Sequence, residues 1–203
     1  MTSCLSPSAI DPPRPESEFN AMDRQELEWK LSRLPRRGIS AFAARCARRL
    51  QPLGARFNGD MRRAVDRAIA AAEDFARGEL QLQGVAAAAA ANAWKIASES
   101  STPEVASKVA SAASAAAWSV AAETKQAAIT AAASAWSAAA KTIADNDPLF
   151  ASDIDQLLHL RLNRFLRPAG KPIDPSEFGP LGPLWPDSFD PDSTVKATPD
   201  PDL

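Results

Sequence analysis

The chain has 203 residues, with 23 Lys and Arg against 25 Asp and Glu and a formal net charge of −2. That length suits one domain with tails. The charge balance excludes a global electrostatic pull toward nucleic acid or an anionic membrane surface. Locally the charges are uneven. From Lys30 to Arg67 eleven basic residues stand against two acidic, and from Asp145 to the end eleven acidic against five basic. The two halves can complement each other within the fold, or each can face a different partner. Cys4 and Cys46 are too few for a disulfide framework, and Cys46, at an apolar helical position, reads as a buried reduced thiol. No basic segment followed by an apolar run opens the chain, so no secretory signal is expected. The longest apolar run, Val85 to Ala91, falls far short of the ~20 residues that span a bilayer. These features predict a cytoplasmic protein with no membrane association.

Residues 1–18 are proline-rich and weakly apolar, and are expected to be a disordered leader. A first helix is predicted from Met22 to Leu34, with Pro35 as its stop. Ile39, Phe42, Ala43, Cys46 and Leu50 then form one helical face ending before Pro52. After the turn at Asn58-Gly59-Asp60, a further helix carries Met61, Val65, Ala68, Ile69, Ala72, Phe75 and Ala76 inward and ends at Gly78, a good C′ residue.

The stretch Val85–Ile143 is nearly all alanine and serine, with Trp94, Trp118 and Trp136 set into it. Alanine is the best helix former, so this block is expected to be helical and central, with the other elements packed on it. Its first helix, starting near Glu79, should bury Leu82, Val85, Ala89, Ala93 and Ile96. Ser101-Thr102-Pro103-Glu104 reads as a helix start. A single helix from Pro103 to Ile143 would be ~60 Å long, so a break is placed near Thr124–Gln126. Before it, Val105, Val109, Ala112 and Ala116 form one face, and Ser107, Ser111, Ser114 and Trp118 another. The three tryptophans are read as wedges that fill space alanine leaves. A last helix is predicted from Ser152 to Leu166. The fold class is therefore all-α, an alanine-rich bundle of six or seven helices over residues 19–166. An extended proline-rich arm over 167–188 should pack on it with Trp185 as its anchor, followed by a disordered tail at 189–203.

Chemistry is sparse. There is one histidine, His159, and no C-x-x-C, so no metal site is expected. The chain has neither G-x-x-x-x-G-K-[ST] nor G-x-G-x-x-G, and the abundant serines of the alanine block sit at helix positions with no histidine in the same segment. The carboxylates Glu73, Asp74 and Glu79 read as solvated. The chain is thus expected to be non-catalytic and to use no cofactor. The best candidate binding surface is the arginine-rich stretch, where Arg36, Arg37, Arg45, Arg48, Arg62, Arg63 and Arg67 could neutralise phosphates along a nucleic-acid backbone. The alternative for these arginines is a solvated face paired with the acidic C-terminal half.

Two segments carry a resemblance. Phe42–Leu53 reads F-A-A-R-C-A-R-R-L-Q-P-L and Ala68–Glu79 reads A-I-A-A-A-E-D-F-A-R-G-E, with an alanine-rich block after them. Cys46, Ala47, Arg49, Leu50, Pro52 and Leu53, with Ala76, Arg77, Gly78 and Glu79, make the chain similar to the immunity-protein-five-like helical family, bacterial proteins assigned to neutralising polymorphic toxins. The resemblance covers roughly Ile39 to Ala144. It departs from that family in having no histidine in the alanine block and in its proline-rich C-terminal segment. What it implies is a toxin-neutralising, protein-binding module with no catalytic residues. In structural terms Cys46 and Leu50 are core positions, Pro52 ends a helix, Gly78 turns the next, and Arg49 and Arg77 are expected to pair with Glu79 or Glu73. The leading expectation is a protein partner, a toxin in particular; the alternative is nucleic acid on the arginine-rich face of residues 33–67.

Overall fold

The computed structural model describes residues 22–79, 83–99, 102–143, 147–160 and 169–185. The expected leader at 1–18, the tail at 189–203, and Cys4, Leu82, Arg161 and Phe165 lie outside these. The described residues form seven α-helices and one 3-10 helix and no strand, the all-α bundle expected.

Helix α1 (Arg24–Ser32) is capped by Asp23, whose carboxylate accepts the Glu26 N–H at 2.7 Å, and it buries Leu27 and Leu31. Helix α2 (Arg36–Leu50) follows Pro35 and runs into a 3-10 helix at Gln51–Arg56. Pro52 sits in the first turn of that 3-10 helix, so it converts the chain from α to 3-10 rather than ending it. Helix α3 (Gly59–Arg77) is capped by Asn58, which accepts the Met61 N–H at 2.8 Å. It ends at Gly78, whose φ of 96° lies in the left-handed region, where only glycine is unstrained.

The alanine block divides into α4 (Gln83–Ser98), α5 (Glu104–Ala121) and α6 (Lys125–Ala140). The break falls where it was placed: Thr124 caps α6 by accepting the Ala127 N–H at 3.2 Å. At the other break, the Thr102 hydroxyl does not cap α5 but donates back to Ile96 O at 2.9 Å. Helix α7 (Asp147–His159) begins five residues earlier than the predicted start at Ser152, because Pro148 is tolerated in a first helical turn.

The centre of the bundle is α2 rather than the alanine block as a whole. Twelve of the fifteen residues of α2 are buried, so it is enclosed on all sides, packing on α3, α5, α6 and α7. Of the alanine helices only α5 is comparably enclosed, lying against α2, α3, α4 and α6. Small side chains let these backbones approach, and serine hydroxyls then reach neighbouring carbonyls. Ser107 Oγ donates to Ala97 O at 2.8 Å and Ser114 Oγ to Ala90 O at 2.9 Å, joining α5 to α4. Ser119 Oγ, 2.9 Å from Ser40 Oγ, joins α5 to α2.

Helix α4 is a flank. Its buried residues are Ala86, Ala90 and Ala93; of the predicted face Ala93 is buried, Ala89 and Ile96 are half-buried and Val85 is exposed. Val105 of α5 is exposed too, while Ala106, Val109 and Ala110 are buried. In an alanine helix the apolar pattern is nearly isotropic, so the few valines misdirect the choice of face. The wedge reading of the tryptophans holds in part only for Trp136, which is half-buried; Trp94 and Trp118 are 58% and 44% exposed.

The C-terminal arm over 169–185 lies across α2 and the end of α3. Ile173 N–H donates to Ala76 O at 2.8 Å, and Ile173 and Leu181 are buried while Trp185 is only half-buried. Trp185 packs half-buried against the core, and Ile173 and Leu181, with the arginines of α2, hold the arm beside it.

Candidate functional site

Arginines spaced every three or four residues on a helix share one face, and on α2 that face points inward, under the arm. Arg45 and Arg49 are each 1% exposed. Between them lies Asp153 of α7, 2% exposed. Arg49 holds both carboxylate oxygens of Asp153, with Nη2 3.1 Å from Oδ1. Arg45 Nε lies 3.0 Å from Oδ2, an ion-pair contact outside hydrogen-bond angles. The rest of the two guanidinium groups faces the backbone of the arm. Arg45 donates to Pro175 O at 3.2 Å, Gly182 O at 3.0 Å and Pro183 O at 3.0 Å. Arg49 Nε donates to Leu184 O at 2.8 Å, and its guanidinium stacks 5.2 Å from the Phe150 ring. One carboxylate and a set of carbonyl dipoles thus answer two buried cations. Burial without such partners would be prohibitive.

The other arginines of α2 are engaged as well. Arg36 Nη2 donates to Val120 O at 3.0 Å and Ala122 O at 2.5 Å, closing the C-terminus of α5. Desolvation pulls its guanidinium below the ordinary arginine value. Arg37 Nη1 donates to Gly170 O at 2.8 Å, and Arg36 and Arg37 both lie 5.9 Å from the Phe75 ring. Arg48 grips Glu73 through Nε at 2.9 Å and Nη2 at 2.6 Å. The expected phosphate-binding row of Arg36, Arg37, Arg45 and Arg48 is therefore not a surface. These side chains bind the chain's own carbonyls and carboxylates, because α2 lies at the centre of the bundle. Of the seven arginines proposed, Arg62, Arg63 and Arg67 on α3 are exposed, and Arg63 is paired with Asp60.

The motif residues are structural. Cys46 and Leu50 are fully buried. Desolvation pushes the Cys46 thiol far above its ordinary value, so it is held protonated and is a poor nucleophile. Arg49 pairs with Asp153 and not with Glu73 or Glu79; Arg48 is the partner of Glu73. Arg77 lies 2.5 Å from Asp74 and 3.9 Å from each of Glu73 and Glu79. Asp153 escaped the sequence reading because a single aspartate in an amphipathic helix carries no signal of its partner. His159 is exposed, with Nδ1 2.6 Å from Asp155 O in its own helix. Among the described residues no group of three or more His, Cys, Asp or Glu is placed to hold a metal, and no helix is long and apolar enough to cross a membrane.

A mostly apolar groove lies between α4, α5 and α6. There Ser111, Ser114, Ala115 and Trp118 form the floor of a groove of about 920 Å³, Trp94 of α4 lies along one wall, and Ala127, Thr130, Ala131 and Ser134 of α6 along the other. Three of its hydroxyls are used within the chain: Ser114 on Ala90 O, Ser134 on Thr130 O at 2.9 Å, and Thr124 as the cap of α6. The groove is thus apolar despite its serines, and Glu123 is its single charge. The face Ser107, Ser111, Ser114 and Trp118, legible as a second helical stripe, is the sequence signal of this floor.

Compared with protein-family models, curated proteins and solved structures, the chain matches none of them.

Proposed function

We propose that the protein is a non-catalytic protein-binding module whose partner lays a helix with bulky apolar side chains into the groove between α4 and α6. One observation carries this: Trp94 and Trp118 are left exposed in a groove otherwise lined mostly by alanine, serine and threonine. Helix-in-groove recognition places large side chains into such a depression, and tryptophans at its edge are the residues that dominate binding energy. The floor lacks bulk, so the occupant supplies it, and a basic residue on the occupant answers Glu123. The resemblance to immunity proteins narrows the partner to a toxin. The nucleic-acid alternative is disfavoured, because most of its arginines are bonded inside the chain.

The test is capture of the partner, a co-expressed candidate toxin, in high salt by the wild-type chain and by the Trp94→Ala/Trp118→Ala double variant. Retention by the wild type and loss of about tenfold or more in affinity by the variant, with unchanged melting, is the expected result. Equal capture by both would remove the groove from the proposal. Release by salt or nuclease would return the weight to the exposed arginines.

A further inference from the structure

Two of the three exposed arginines of α3, Arg63 and Arg67, lie one turn apart and line one cavity together with Lys95 of α4. That cavity is a cleft of about 730 Å³ between α3, α4 and the start of α5, floored by Phe57, Met61 and Ile96. It shares no lining residue with the groove described above, so an inference about it does not depend on the protein-binding proposal. Its size is that of a small-molecule site, and its lining is divided: an apolar floor with a half-buried aromatic ring at one end, and charged groups along the rim.

The rim charges do not all cancel. Asp60 is held by Arg63. Arg67 and Lys95 have no ion-pair partner among the described residues, while Glu99 is exposed at the end of α4. The lining therefore carries one cation in excess, contributed from two facing helices. Asn92, three residues before Lys95 on α4, offers an amide donor and acceptor to the same space.

We propose that this cleft binds a small planar anion, a nucleoside monophosphate in size and chemistry. Arg67 and Lys95 take the phosphate, arginine being well suited to its oxygens. The flat ring stacks on Phe57, where an offset arrangement is favourable, with the aliphatic side chain of Ile96 beside it. Asn92 reads the ring's donor and acceptor edge. The carboxylates Asp60 and Glu99 oppose further negative charge, so a monophosphate is preferred to a triphosphate.

The experiment is isothermal titration of the full chain with each of the four nucleoside 5′-monophosphates, with adenosine, with ATP and with inorganic phosphate. The expected result is saturable binding of at least one monophosphate, tighter than its nucleoside, ATP or phosphate alone. Arg67→Ala and Lys95→Ala should each weaken it roughly tenfold or more, the loss of a charge-assisted hydrogen bond. Asn92→Ala should change the order of preference among the bases while phosphate contacts persist. Both cationic side chains are at the surface, so circular dichroism of the variants should match the wild type. Absence of binding by all four monophosphates overturns the proposal. So does binding that survives both cationic substitutions, or inorganic phosphate binding as tightly as the nucleotides.

Discussion

Arg49 and Asp153 meet in the interior across 104 residues of sequence, both oxygens of the carboxylate engaged by one guanidinium. This pair fixes α7 to α2, and with Arg45 it fixes the arm to both. A buried carboxylate between two buried arginines differs from a surface ion pair in what its loss does: the cations remain, desolvated and unanswered.

Asp153→Ala should therefore cost about 3–5 kcal/mol of stability, the range for breaking a buried pair from one side. Urea denaturation monitored by far-ultraviolet circular dichroism measures it. Asp155→Ala, two residues on, is the comparison. Asp155 is exposed and pairs with Lys30 at 3.1 Å, and its loss should cost no more than about 1 kcal/mol. Equal effects would contradict the buried arrangement.

Arg45→Met removes the donors that hold five carbonyls of the arm, those of Pro175, Ser176, Leu181, Gly182 and Pro183, while keeping the apolar stem. The arm should then exchange and cleave far sooner than the helices. Hydrogen exchange at Gly182, whose N–H bonds Gly179 O at 3.0 Å within the arm, should rise by at least tenfold, while α5 amides stay protected. A uniform rise across the chain would instead mean that arm and bundle unfold together.

Gly78→Ala meets two obstacles. The backbone is at φ 96°, and an added Cβ would stand 2.8 Å from Pro172 Cγ. Strain in the left-handed region and displacement of the arm should together cost about 1–3 kcal/mol. The same substitution at Gly84, where an added Cβ meets nothing within 4 Å, should stabilise α4 slightly, since alanine gains about 1 kcal/mol over glycine in a helix interior and less near an end. Thermal melts of the two variants should move in opposite directions.

Ala113→Leu on α5 and Ala91→Leu on α4 separate enclosed from exposed alanine. Ala113 is fully buried between helices, so overpacking should cost about 1–3 kcal/mol. Ala91 faces solvent, and leucine there should be neutral within about 0.5 kcal/mol. Chemical denaturation of both decides whether α4 is a flank or a central helix.

Much of the architecture was legible along the chain because it is encoded locally. Asn58 and Gly78 bound α3, Thr124 caps α6, and Leu27, Leu31, Phe42, Val65 and Ile69 mark inward faces by spacing alone. Helix faces were lost where alanine fills every position, as at Val85 and Val105, because periodicity needs contrast between apolar and polar residues. The groove was half legible: the stripe of Ser107, Ser111, Ser114 and Trp118 was visible, but its exposure depends on what packs against α5.

The sequence by itself determined an all-α chain, its main breaks, and the absence of any familiar catalytic or phosphate-cradling motif. Only the tertiary structure decided where the arginines go. A helix rich in arginine has the same local energetics at a surface or at a centre. Its placement is set by Asp153 and by the carbonyls of residues 175–184, more than a hundred positions away, and no local pattern carries that information.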